Sequence, residues 1–226
     1  MTEFYQNHSK LYVSVDCIIF GLIEGELSLL LIKRRFDPGK GQWSLMGGFV
    51  RSDESLNDAA RRVLADLTGL DNVYMEQVGA FGEVNRDHGE RVVSVAYYAL
   101  MGFNEYDPQH LARHDAQWVA LTQLPPLVFD HSQMVGQALD KLRRKVTHEP
   151  IGFNLLPKLF TLSQLQKLYE TILSETLDKR NFRKRVAEMD FIEKTDQKDK
   201  AGSRRGAALY KFNDKIYQSG YKKFKI

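Results

Sequence analysis

The chain opens on two long apolar runs. LYVSVDCIIFGL (residues 11–22) and ELSLLLIKRR (26–35) are rich in β-branched and leucine side chains and are separated by the turn-like EGE, which predicts two adjacent strands. RVVSVAYYALM (91–101) and AQWVAL (116–121) are two further strand-like runs. Between them the period changes: Leu56, Ala60, Val63, Leu64 and Leu67 recur at helical spacing and predict a helix over about 55–68. A second amphipathic helix is predicted over about 131–145, ending in LRRK. This order predicts helices packed on a mixed sheet.

Past residue 150 the texture shifts to short helices and a polar hairpin, which predicts two domains, 1–150 and 151–226, the second with a smaller core of its own. In TLSQLQKLYETIL, Leu162, Leu165, Leu168, Tyr169, Ile172 and Leu173 share one helical face, with Ser163 as the candidate cap. DKRNFRKRVAEM reads as a second helix capped by Asp178, with Phe182, Val186 and Met189 turned inward. FIEKT and AALYKFN flank DQKDKAGSRRG as the arms of a basic-tipped ribbon. Two helices on a short connection followed by a ribbon predict a winged helix-turn-helix.

Charge supports that division. Residues 151–226 carry 17 Lys and Arg against 9 Asp and Glu, so the front of the chain is net acidic within an overall charge of +3. Only the back is suited to a polyanion. On the second helix, Lys179, Arg180, Asn181, Arg183 and Lys184 lie off the apolar face, and Asn and Arg are the side chains that pair with adenine and guanine edges in a major groove. Ser163 and Gln164 on the preceding helix, and Lys198, Lys200, Ser203, Arg204 and Arg205 on the ribbon, are the candidate supporting contacts to double-stranded operator DNA.

The N-terminus, MTEFYQNHSK, has no basic segment leading into an apolar run, so neither a signal peptide nor a membrane span is expected and a cytoplasmic location is. The single cysteine, Cys17, lies within VDCIIF and reads as a buried structural thiol.

GGFVRSDESLNDAARRVLADLTGL (47–70) resembles the Nudix box, with Gly48, Glu54, Arg62, Leu64, Gly69 and Leu70 in register. In that family three glutamates following the arginine hold Mg²⁺ against a pyrophosphate; here their positions are Val63, Asp66 and Leu67. One shortened carboxylate between two hydrocarbons is a poor Mg²⁺ site, so neither a bound metal, a cofactor nor hydrolysis is expected. Glu54 and Arg62 should pair and fix the loop to the helix, while Gly47, Gly48 and Gly69 permit tight turns. His110 and His114 are four apart, but no third ligand completes a metal site, so both read as surface residues.

A defective Nudix box followed by EPIGFNLLPKLFTLSQLQKLYETI and DKRNFRKRV resembles the Nudix-related bacterial transcription regulators over nearly the whole chain. The resemblance implies an α+β protein: an N-terminal Nudix-like α/β/α sandwich that senses a small molecule, a C-terminal winged helix-turn-helix, and a homodimer on DNA. It is strongest to the arabinose-utilisation branch and implies a repressor released by L-arabinose. The alternatives are the branch that senses ADP-ribose and controls NAD metabolism, and an active hydrolase that recruits Asp66 and outside residues to its metal. The candidate effector contacts are Asp16, Lys33, Arg35, Gln42, Trp43, Glu83, Ser94 and Tyr98.

Overall fold

A computed structural model describes residues 6–70, 73–102, 108–200 and 206–218. The centre of the molecule is a mixed seven-stranded sheet. Strand β1 (Tyr12–Ile23) pairs antiparallel with β2 (Glu26–Lys33) and β4 (Met46–Phe49) and parallel with β6 (Val92–Met101). Beyond these lie β3 (Trp43–Ser44) and β7 (Ala116–Ala120) on β2, and β5 (Tyr74–Phe81) on β6. The run of buried residues along β1 follows from this central place, since both sheet faces are covered.

Alternation sorts β1 between two cores. Ile18 and Phe20 face one side of the sheet, and Val15, Cys17 and Ile19 the other. On the second side lie α1 (Leu56–Thr68), whose Ala59, Ala60, Val63 and Leu64 are buried, and the short α2 (Pro108–Arg113). Helix α1 starts at a capping box between Ser55 and Asp58 and stops at Gly69, whose φ of 75° is a left-handed conformation that glycine adopts without strain. Cys17 is buried in this second core, where desolvation pushes its thiol pKa upward, as a structural thiol requires.

On the first side lies α3 (His131–Val146), burying Met134, Val135, Ala138, Leu142 and Val146. The C-terminal segment packs into this same core. A 3₁₀ turn (Ile151–Leu155) buries Ile151, Phe153 and Leu155, and a Cβ on Gly152 would press on Leu168 at 3.2 Å. Helices α4 (Leu162–Leu173) and α5 (Lys179–Ala187) follow. A three-stranded sheet in the order β8 (Phe160–Thr161), β10 (Ala207–Phe212), β9 (Ile192–Asp199) completes the winged helix, and α6 (Asp214–Gln218) packs behind it. Phe153 stacks on Phe212 with ring centroids 4.6 Å apart.

Two expectations are corrected here. The cores divide by sheet face and not by position along the chain, because α4 and α5 share the core that holds Ile18, Phe20 and Tyr98. The cap of α4 is Thr161, which forms a capping box with Gln164; Ser163 is already inside the first turn. No helix among the described residues is long and apolar enough to cross a membrane.

Candidate functional site

The Glu54–Arg62 pair forms as expected. The carboxylate takes Arg62 Nη2 at 2.6 Å and Nε at 2.9 Å, and Arg62 also donates to the carbonyl of Phe49, tying α1 to β4. The hydrogen bond from Arg62 is the main reason that the Glu54 pKa drops to about 2. Gly47 and Gly48 do not make turns. They lie within β4, where a Cβ on Gly47 would collide with the Asp16 carboxylate and one on Gly48 would meet Val63 at 3.0 Å. The glycine pair serves close approach of β4 to β1 and α1.

That approach leaves a cleft of about 220 Å³ whose walls include Asp16, Lys33, Arg34, Arg35, Gly47, Gly48, Phe49, Leu67, Arg86, Asp87, His114, Phe129 and His131. A Mg²⁺ ion, as the fold family implies, does not fit these residues. Val63 is 4% exposed within the α1 core, Leu67 offers hydrocarbon to the cleft, and Asp66 points outward, 65% exposed and 4.0 Å from Arg62. No group of three or more His, Cys, Asp or Glu suited to a metal occurs among the described residues.

The cleft is built on buried charge. Arg86 forms a two-pronged ion pair with Asp130, Nε to Oδ2 at 2.9 Å and Nη2 to Oδ1 at 2.7 Å, with its own side chain only 3% exposed. Burial works against the Arg86 charge, and Asp130 more than offsets it, so the guanidinium stays protonated. Asp16 accepts from Ser94 Oγ at 2.5 Å and lies 3.8 Å from Arg86 and 3.7 Å from His131 Nε2. The amide of Leu45 donates to His131 Nδ1 at 3.1 Å, so the proton of the neutral ring sits on Nε2, facing Asp16. Burial pushes the His131 pKa down and keeps the ring neutral. At the mouth, the Arg34 guanidinium lies over Phe36 at 4.2 Å and near Phe129 at 5.1 Å.

Of the expected effector contacts, Asp16, Lys33 and Arg35 line the cleft, although Arg35 is drawn to Asp115 at 2.8 Å. The others do not. Ser94 stands behind Asp16 and holds it. Trp43 is half-buried beneath Lys33, whose ammonium lies 3.9 Å from its ring centroid. Gln42 and Glu83 are exposed in loops, outside the cleft walls. Tyr98 is fully buried farther along the same sheet face, its hydroxyl donating to Glu76 at 3.1 Å. His114 is a correction in the opposite direction: it is half-buried and lines the cleft. The side chain of His110 lies outside the described residues.

Sequence reasoning missed Arg34, Arg86, Phe129, Asp130 and His131. Arg86, Phe129 and Asp130 sit in connections with no periodicity, and only the long-range pairing of Arg86 with Asp130 marks them out. The run FDHS, directly before the amphipathic period of α3, was the available clue.

In the winged helix, Lys179, Arg180, Asn181, Arg183 and Lys184 are all exposed on α5, while Phe182, Val186 and Met189 are buried. Asp178 caps this helix, accepting from the Asn181 amide at 2.8 Å. Ser163 and Gln164 are exposed on α4, but Gln164 Oε1 is occupied by the capping box. Lys198 and Lys200 are exposed on and after β9; Ser203, Arg204 and Arg205 lie outside the described residues.

Comparison with known proteins places both parts. Residues 10–137 match the NUDIX domain model, and residues 152–212 match the NrtR DNA-binding winged helix domain. The "ADPR responsive transcriptional repressor NtrR" of Acinetobacter baylyi is 40% identical over 204 residues, which cover 88% of this chain and 81% of that protein. The chain belongs to the NrtR family of Nudix-related regulators. The crystal structure of Shewanella oneidensis NrtR complexed with a 27mer DNA superposes with a TM-score of 0.83 at 31% identity, covering 94% of this chain and 98% of that one. The NUDIX domain of that NrtR, complexed with ADP ribose, has a TM-score of 0.51 at 31% identity, covering 63% and 99%. An ADP-ribose pyrophosphatase of Methanocaldococcus jannaschii is 31% identical over 126 residues, 56% of this chain and 74% of that protein.

Proposed function

We propose that this NrtR-family chain is a transcriptional repressor that binds operator DNA as a homodimer and is released by ADP-ribose in the former Nudix cleft. Residues 1–150 sense and residues 151–226 bind DNA. The observation that carries the effector assignment is the charge of the cleft walls: Lys33, Arg34, Arg35 and Arg86 against Asp16 and Asp87. Arg86 and Arg35 are already paired with Asp130 and Asp115, and Lys33 and Arg34 have no such ion pair among the described residues; a neutral pentose offers them no charge, whereas a diphosphate supplies one in a partly water-excluded site where the attraction is strengthened. Phe36, Phe49 and Phe129 at the mouth are flat surfaces for a purine. The relatives named above, one called ADPR responsive and one complexed with ADP ribose, support the same effector, and L-arabinose gives way to it.

Catalysis is not part of this reading. Apolar Val63 and Leu67 remove the oxygen ligands with which a Nudix hydrolase holds its metal, although the pyrophosphatase relative makes turnover the proper control. DNA recognition falls to Arg180, Asn181, Arg183 and Lys184 on the exposed face of α5, with Lys179 at its N-terminus, Lys198 and Lys200 on and after β9, and Ser203, Arg204 and Arg205 next in the sequence. A single module of this size reads one half-site, and two copies match a near-palindrome.

The test is a calorimetric titration of the whole protein with ADP-ribose and with L-arabinose, alongside a Mg²⁺-dependent turnover assay on ADP-ribose. Binding of ADP-ribose without turnover is the expected result. Binding of arabinose in its place, or turnover abolished by Asp66→Ala, would refute it.

A further inference from the structure

Helix α3 touches both halves of the molecule. Its N-cap, Asp130, is an aspartate that makes no side-chain capping bond, because Arg86 holds its carboxylate. An aspartate at this position ordinarily accepts from the amides of the first turn. Here the Gln133 amide takes its main-chain oxygen instead, at 2.9 Å, beside the ordinary first bond of the helix from Met134 at 3.1 Å. Arg86 Nη1, the third nitrogen of the same guanidinium, has no hydrogen-bond partner among the described residues, and Arg86 lines the cleft.

At the other end of α3, Arg143 reaches across to the winged helix. Its Nε donates to the carbonyl of Ile172 at 2.9 Å and its Nη2 to Ser174 Oγ at 2.7 Å. Ile172 is in the last turn of α4, and Ser174 is its C-cap, with φ at 57°. The connection from there to Asp178, the cap of α5, is short. Asp130 and Arg143 are thus joined by a continuous helix of about 20 Å at 1.5 Å rise per residue.

We infer that α3 is the element that carries effector binding to the DNA-binding helices, with the Arg86–Asp130 pair as its latch and Arg143 as its grip on α4. This rests on the ADP-ribose reading. A diphosphate entering the cleft meets the free edge of Arg86 and competes with Asp130 for the guanidinium. As the Arg86 bonds to Asp130 loosen, its carboxylate becomes available to cap α3. The first turn of α3 then adjusts, and because the helix is packed along its length on the sheet it moves as a unit. Arg143 hands that movement to the end of α4 and so to the setting of α5. The effector acts only by its different affinity for the two settings.

The experiment measures the factor by which saturating ADP-ribose weakens operator binding in wild type, Arg143→Gln and Ser174→Gly. Glycine at 174 suits the left-handed conformation, so this second variant removes one hydrogen bond without straining the chain. Direct ADP-ribose titration of each operator-free protein accompanies it. The expected result is ADP-ribose affinity within twofold of wild type in both variants, with the release factor falling at least fivefold in Arg143→Gln and less in Ser174→Gly. Release by the wild-type factor in both variants would overturn the transmission role, as would loss of ADP-ribose binding in Arg143→Gln, which would place that residue in the support of the cleft. Failure of ADP-ribose to release the wild-type protein would refute the functional reading itself.

Discussion

The cleft and helix α5 both present arginine, and they hold it in opposite ways. Arg86 is buried, its bonds to Asp130 are made within the chain, and its position is fixed before any ligand arrives. Arg180 and Arg183 stand exposed on α5. A buried, paired charge gives a small ligand a preset geometry, at the risk of instability if either partner is lost. An exposed, unburdened charge contributes little to the fold and leaves its hydrogen-bonding capacity for a partner. Changes in the cleft should therefore register first in stability, and changes on α5 in DNA affinity alone.

The most severe test of that contrast is Arg86→Ala. It leaves a buried Asp16 and a half-buried Asp130 without their cation and should cost about 3–5 kcal/mol of unfolding free energy in urea. A loss below about 1 kcal/mol would mean that the pair is not a structural commitment. Next in size, Arg183→Ala should weaken specific operator binding by about 1–3 kcal/mol while leaving the melting temperature unchanged. Equal weakening on random DNA would show that Arg183 meets phosphate and not a base. A wing substitution, Lys198→Ala, should weaken all sequences by similar, smaller amounts and reduce the slope of log K against log salt by about 1. The smallest effect is a pH dependence at the ion pair that ties α1 to β4. Glu54, held at about 2 by its hydrogen bond from Arg62, is depressed from its ordinary 4.5, so its contribution is complete above that value and is lost as pH falls toward 2. Stability measured across this window should fall more steeply for wild type than for Glu54→Gln; parallel curves would mean that the pair adds nothing to folding.

What the sequence disclosed follows the same contrast. The helical face of Phe182, Val186 and Met189 marks, by subtraction, the basic residues of α5, because an exposed face on a regular helix is periodic. The Nudix box gave α1, its ion pair and the hydrocarbon positions Val63 and Leu67 for the same reason: the spacing is local. The cleft floor was not legible. Arg86, in a loop, and Asp130 meet from 44 residues apart, and neither obeys a local period. Tyr98 was misplaced because alternation assigns a sheet face but not a position along it, and Glu76 draws its hydroxyl away from the cleft. Strands β3, β4 and β5 went unseen, being short or poor in β-branched residues.

On the proposed function one cleft ligand and one operator compete for the setting of a single molecule, and linkage makes this measurable in both directions. ADP-ribose is titrated calorimetrically into the protein alone and into the protein saturated with operator, and operator is titrated with and without saturating ADP-ribose. Operator should weaken ADP-ribose binding by the same factor by which ADP-ribose weakens operator binding. ADP-ribose affinity that is indifferent to saturating operator would contradict it.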